Sequence, residues 1–159
     1  MKGSARWIAD LNEFFRNYTL SNVTFDLYAR GRTRNRGLFL SRFFAWTALP
    51  DYSVSLFCVD VTESGRFSVE SLRKLIEVAL QTVRSKELQW AWLIALSGQE
   101  LSPQVVSFVS RYDRNELGLA AASILTGELV VSNTHIGRSI RKQLKLGKLL
   151  KALDHGQAS

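Results

Sequence analysis

Between residues 53 and 132 short apolar runs alternate with amphipathic stripes, and the links between them are only a few residues long. No other feature limits the fold as strongly. Residues 53–61 (SVSLFCVDV) are mostly apolar, the pattern of a strand covered on both faces. Ser68 then offers an N-cap for a helix running to about Arg84, with Val69, Leu72, Ile76, Leu80 and Val83 on one stripe. A second covered strand is expected at 88–96 (LQWAWLIAL). Ser102 as N-cap and Pro103 at the first helical position open a helix through about Tyr112. Two more strands follow at 117–125 and 128–132, around a Thr126-Gly127 turn. Strand, helix, strand, helix, strand with short links implies right-handed crossovers on a central sheet. The expected class is α/β (or α+β), in three layers with mixed strand pairing, and 159 residues suit one domain, 1–159.

The flanks are less regular. Residues 5–16 (ARWIADLNEFFR) read as a short helix, because Trp7, Ile8, Leu11, Phe14 and Phe15 fall on one side at helical spacing. Residues 23–30 alternate apolar and polar, and 38–46 is again strand-like, so a hairpin with an arginine-rich turn at 30–42 is expected. The C-terminal segment 138–153 reads as basic and helical. Its apolar side switches at Gly147, which predicts a kink or two short helices.

Charge enters the argument through its placement. The formal net charge is +7. Five arginines (Arg30, Arg32, Arg34, Arg36 and Arg42) fall in one stretch without an acid. Six cations (Arg138, Arg141, Lys142, Lys145, Lys148 and Lys151) fall in another. Taken from the 21 basic residues, these eleven leave 10 cations against 14 acids, so the body is mildly acidic. Cation gathered into two segments is what a polyanion footprint requires, because neutralising phosphates releases counterions. Nucleic acid is therefore the expected partner, DNA favoured, and binding needs no cofactor. Arg42 is interleaved with Phe39, Phe43, Phe44 and Trp46, which adds surfaces on which unpaired bases stack. Leu146, Leu149, Leu150 and Leu153 form a stripe that packs internally or meets a protein partner.

Several chemistries lack their residues. Two histidines (His135 and His155) and one cysteine (Cys58) make no zinc-ligand spacing, and neither a phosphate-binding glycine loop nor a nucleophile elbow occurs. His135 reads as a helix-start or surface residue. No apolar run of about 18 residues suggests a membrane span. Asp10, Asn12 and Glu13 stand where a secretory leader needs its apolar core, and the single cysteine fits a reducing compartment, so a cytoplasmic protein is expected.

Carboxylates with neighbouring cations remain. Pro50-Asp51 followed by Asp60-Val61-Thr62 resembles the PD-(D/E)xK pattern of the restriction-endonuclease-like nucleases. The order around it, an apolar strand ending in Asp60, the helix and the strand with Trp90 and Trp92, is similar to archaeal resolvase-like and Mrr-like members. The resemblance covers about residues 50–132. It implies a restriction-endonuclease-like core, a dimer, and acids that hold Mg²⁺ or Mn²⁺ while a lysine assists the attacking water. Thr62 stands where that lysine belongs, and Lys74 or Arg42 is the available substitute. In one extended strand Asp51 and Asp60 would lie ~30 Å apart. Asp26 is accordingly the expected partner of Asp60, with Glu13 as a third acid. A nuclease-like scaffold kept for binding is the first expectation, and a metal-dependent or junction-cleaving endonuclease the second. The third is an assembly subunit docking through the leucine stripe.

Overall fold

The computed structural model describes residues 7–35, 52–61 and 67–143. Six strands and three helices follow in the order β1 (Trp7–Leu20), β2 (Val23–Asn35), β3 (Tyr52–Asp60), α1 (Val69–Ser85), β4 (Trp90–Ser97), α2 (Pro103–Arg111), β5 (Leu117–Ser123), β6 (Leu129–Val131) and α3 (His135–Gln143). The strands form one sheet in chain order, β1-β2-β3-β4-β5-β6. β1–β2, β2–β3 and β5–β6 pair antiparallel, whereas β3–β4 and β4–β5 are parallel. The class is therefore mixed α/β on a six-stranded sheet. No helix among the described residues is long and apolar enough to cross a membrane.

Both parallel connections step in the same direction across the sheet, so crossovers of one hand put α1 and α2 on the same face. The larger core cluster lies there, joining Leu72, Ile76 and Val83 of α1 and Val105 and Val109 of α2 to Phe57, Leu93 and Leu119 of the sheet. α3 covers the opposite face, where Ile140 packs with Trp92, Ile94, Ala120 and Leu56. Alternation along β4 explains its unbroken apolar run: Ala91, Leu93 and Ala95 face α1, and Trp92 and Ile94 face α3. Trp92 also fastens the third layer, its Nε1 donating at 3.2 Å to both the Ile136 carbonyl and Ser139 Oγ.

The helix starts follow the local chemistry. Ser68 Oγ accepts from the Ser71 N–H at 3.2 Å, and Ser71 Oγ accepts from the Ser68 N–H at 3.1 Å, a reciprocal box that satisfies two otherwise orphaned donors. Ser102 Oγ accepts from the Val105 N–H at 3.2 Å, with Pro103 as the first helical residue. Each such cap contributes ~1 kcal/mol.

The N-terminal segment departs from its expectation. Residues 7–20 form β1, not a helix. The turn of the hairpin is Ser21-Asn22, both with positive φ (48° and 65°), the backbone of a two-residue type I′ connection. β2 therefore pairs with β1, and Arg30, Arg32 and Arg34 lie within a strand rather than at a turn. The register between the strands shifts between Leu11 and Glu13, so Asn12 is a bulge. Gly37–Trp46, including Arg42 and the four aromatics, lies outside the described residues, as do Arg36, Asp51 and Thr62. The same holds for Lys145 and the leucines at 146, 149, 150 and 153. α3 begins at His135, three residues ahead of the expected 138, and His135 is an exposed first-turn residue.

Candidate nucleic-acid interface

Three groupings of the sequence-derived residues can be placed: an acid pair at one end of the sheet, the arginines of β2 at the other, and the cations of α3 on the far face.

Asp60 closes β3 at the carboxyl end of the parallel strands, level with Leu96 of β4 and Ala122 of β5. Asp26 lies on the adjoining strand, just past the last β2–β3 pair, Leu27 with Cys58. There its Oδ2 accepts the Asp60 backbone N–H at 2.6 Å, continuing the ladder with a side chain. The Asp26 side chain thus meets the Asp60 backbone; this is not a pairing of the two carboxylates. Cys58 lies beside them, and burial together with the two carboxylates pushes its thiol up to about 12. At neutral pH it is a protonated, unreactive thiol.

A hard divalent cation takes about six oxygen ligands. Among the described residues no group of three or more His, Cys, Asp and Glu side chains is placed to hold a metal ion. Glu13, the expected third acid, sits on β1 opposite Arg30 and forms an ion pair with it, so it is committed elsewhere. Hydrogen bonding and charge from Glu13 raise the Arg30 pKa further. Lys74 is exposed on α1 and makes no ion pair with any described residue. The described acids do not fit a Mg²⁺ or Mn²⁺ centre, and no catalytic step is derived through one.

The arginines lie toward the opposite end. Arg30 pairs in register with Ser55 and Arg32 with Ser53 of β3. Ser53 is seven positions before Asp60, so the two levels are ~23 Å apart. Across the other edge of β2, Arg32 stands opposite Asp10 and Arg34 opposite Ile8. Two of the arginines therefore stand at register positions opposite an acid.

Around Arg30 the structure assembles aromatics that sequence reasoning placed on a helix or left unremarked. The Arg30 guanidinium lies 5.7 Å from the centroid of Phe15, which is 38% exposed. Phe15 packs against Tyr18 and Tyr28, and those two rings stack at 4.7 Å. Lys86, just past α1, lies over Tyr18 and Tyr28 at 5.4 and 5.1 Å and donates to Tyr18 Oη at 3.2 Å. Tyr28 is buried and bonds Ser55 Oγ at 3.0 Å. This cluster seals the hairpin to the end of α1 and leaves one edge of Phe15 and the two cations at the surface.

α3 carries its cations on the other face of the sheet. Arg138 donates to Asn133 Oδ1 at 2.9 Å, and Arg141 donates to the Leu129 carbonyl at 2.8 Å. Leu129 pairs with Ala122, so Arg141 reaches the level of Asp60. The described parts of the two basic segments do not merge into one patch.

No protein-family model, no curated protein and no solved structure matches this chain.

Proposed function

We propose that this chain binds nucleic acid through the basic face of the β1–β2 hairpin, with DNA favoured, on a nuclease-like scaffold that does not cut. The observation that carries the reading is the separation of charge along the sheet. A strand held at Arg32 and Arg34 lies ~23 Å from the level of the Asp26–Asp60 contact, more than six phosphate steps of one strand of B-form duplex. The phosphates gripped by the arginines are then not the phosphates beside the acids. The exposed part of Phe15 beside Arg30 adds an apolar face to which a base can stack.

Fluorescence anisotropy with a labelled 20-nucleotide DNA, single-stranded and duplex, tests the reading across a salt series. Affinity is expected to fall steeply with salt, and Arg32→Ala/Arg34→Ala/Arg36→Ala to weaken it by at least tenfold. Unchanged affinity in that variant overturns the proposal.

A cutting enzyme is the second reading, and the adjacency of the Asp26 carboxylate to the Asp60 backbone at the carboxyl end of β3 favours it. An acid closing β3, then α1 and a parallel β4, is also the order that the restriction-endonuclease-like resemblance implies. Cleavage of branched or duplex DNA in Mg²⁺ or Mn²⁺ that disappears in Asp60→Ala would establish it. The first reading expects no cleavage and unaltered affinity in that variant.

A further inference from the structure

The two acid-free basic segments do not hold all of the available cation. Arg73 and Arg84 lie on α1, Arg111 ends α2, and Arg114 follows it. None of the four guanidinium groups makes an ion pair or hydrogen bond with any described residue, in contrast to those of Arg30, Arg138 and Arg141. They line two adjoining hollows of about 630 and 530 Å³ between α1 and α2, which share Phe108 and Tyr112 as their common wall. Glu77 and Asp113 are the acids there, leaving the groove with a surplus of cation.

The groove is also shaped for a chain rather than a small molecule. Eleven residues separate Arg73 and Arg84 on one helix, an axial distance of ~16 Å, or about five nucleotide steps along one strand of a B-form helix. Arg73 lies over the Phe108 ring at the groove wall, 5.5 Å from its centroid. Arginines held in the open without carboxylate partners keep their donors available for phosphate oxygens. The groove lies on the same side of the sheet as Arg30. Lys86, two residues beyond Arg84, reaches over Tyr18 and Tyr28 into the ring cluster where Arg30 meets Phe15.

We infer that the α1–α2 groove is a second nucleic-acid backbone site, continuing the path from β2 across Lys86 to Arg84, Arg114 and Arg73. The inference rests on the nucleic-acid reading above and adds the direction in which the strand runs. It assigns contacts to three arginines scattered over 42 residues of an otherwise acidic stretch.

The test compares two variants of the full chain, Arg73→Ala/Arg84→Ala/Arg114→Ala and Arg32→Ala/Arg34→Ala/Arg36→Ala. Each is titrated with the 20-nucleotide single strand and duplex between 50 and 300 mM salt. Losing three phosphate contacts lowers the slope of log K against log salt by about 2 for a single strand and about 2.7 for duplex. A groove variant that shows this drop and at least tenfold weaker binding supports the inference. Arg84→Glu/Arg114→Glu, which leaves the Arg73–Phe108 contact intact, is expected to do the same while circular dichroism stays unchanged. A groove variant with wild-type slope and affinity overturns the inference, and the hairpin reading stands if the other variant still loses binding. Wild-type protein that binds neither oligonucleotide at 50 mM salt overturns both. Retention of a poly-glutamate peptide dependent on the same arginines would then reassign the groove to an acidic protein partner.

Discussion

Gly137 is the position where one added carbon is expected to be felt most. It lies in the first turn of α3, immediately after the chain leaves β6, and its N–H donates to Thr134 Oγ1 at 2.9 Å. A Cβ there would run into both the hydroxyl and the carbonyl oxygen of Ser132. Neither can yield easily. Ser132 is fully buried, its Oγ accepts the Leu119 N–H at 3.0 Å, and its own N–H donates to the Leu119 carbonyl at 2.8 Å. Overpacking of this kind costs roughly 1–3 kcal/mol. Turning the Ser132 hydroxyl aside leaves a buried N–H unsatisfied, at roughly 1–3 kcal/mol. Replacing glycine in a helix returns ~1 kcal/mol. Gly137→Ala is therefore expected to destabilise the protein by about 3 kcal/mol, a fall in Tm of roughly 6–12 °C for a chain of this size. Urea and thermal unfolding followed by circular dichroism measure it. Gly127→Ala is the control, since Gly127 has φ +73° with no atom within 4 Å of an added Cβ, so only backbone strain of ~1–2 kcal/mol applies. If Gly137→Ala proves no more damaging than Gly127→Ala, the tight seating of α3 on β5 and β6 is refuted.

Three further outcomes follow from the surroundings of Cys58 and from the hairpin. The Cys58 thiol is raised in the folded state, so its contribution to stability is complete below the thiol pKa of the unfolded chain, near 9, and is lost as pH rises toward about 12. Tyr112, also raised to about 12 by burial, joins only above pH 10. Urea midpoints are therefore expected to fall between pH 9 and 10 in the native chain but not in Cys58→Ala. Asp26→Asn, which removes one carboxylate beside the thiol, should speed iodoacetamide labelling of Cys58 at pH 9, and an unchanged rate would count against their proximity. Replacing Ser21-Asn22 by Asn-Gly, the pair that best accepts two positive φ values, should stabilise the protein by ~0.5–1 kcal/mol. A loss of stability would contradict the type I′ turn.

The middle of the fold was legible because its signals are local. Ser68, Ser102 and Pro103 mark helix starts by the chemistry of their own side chains, and the helices begin where those residues place them. The covered strands show as apolar runs because helices lie on both sides of β4. β1 was misread for a physical reason. Its bulge at Asn12 inserts one residue into a period of two, so Ile8, Leu11 and Phe15 fall at spacings of three and four, which mimic a helix. With β1 taken as a helix, β2 lacked its partner and the arginines were assigned to a turn. The bond that Asp26 makes is to the Asp60 backbone, but that it neighbours the Asp60 position was legible by elimination, because extended geometry excluded Asp51. The Phe15–Tyr18–Tyr28–Lys86 cluster was not, since it joins residues 68 positions apart through a register no local pattern encodes. The unpaired arginines of the α1–α2 groove were hidden for the same reason, as helical stripes on two separate elements.

The identity between strand order and chain order has a kinetic consequence. Among the described residues each strand pairs only with its neighbours in chain order, so no pairing skips over an intervening strand. The parallel pairings still join residues 36 positions apart (Val54 with Trp90) and 26 apart (Ala91 with Leu117), so each must close a long loop before it is rewarded. During synthesis each new strand can dock on a template already emerged from the ribosome, beginning with the hairpin and its two-residue turn. The growing edge is then always the most recent strand, and it stays open only until the next has been made. β6, three residues long and followed at once by α3, ends that growth with little edge left exposed.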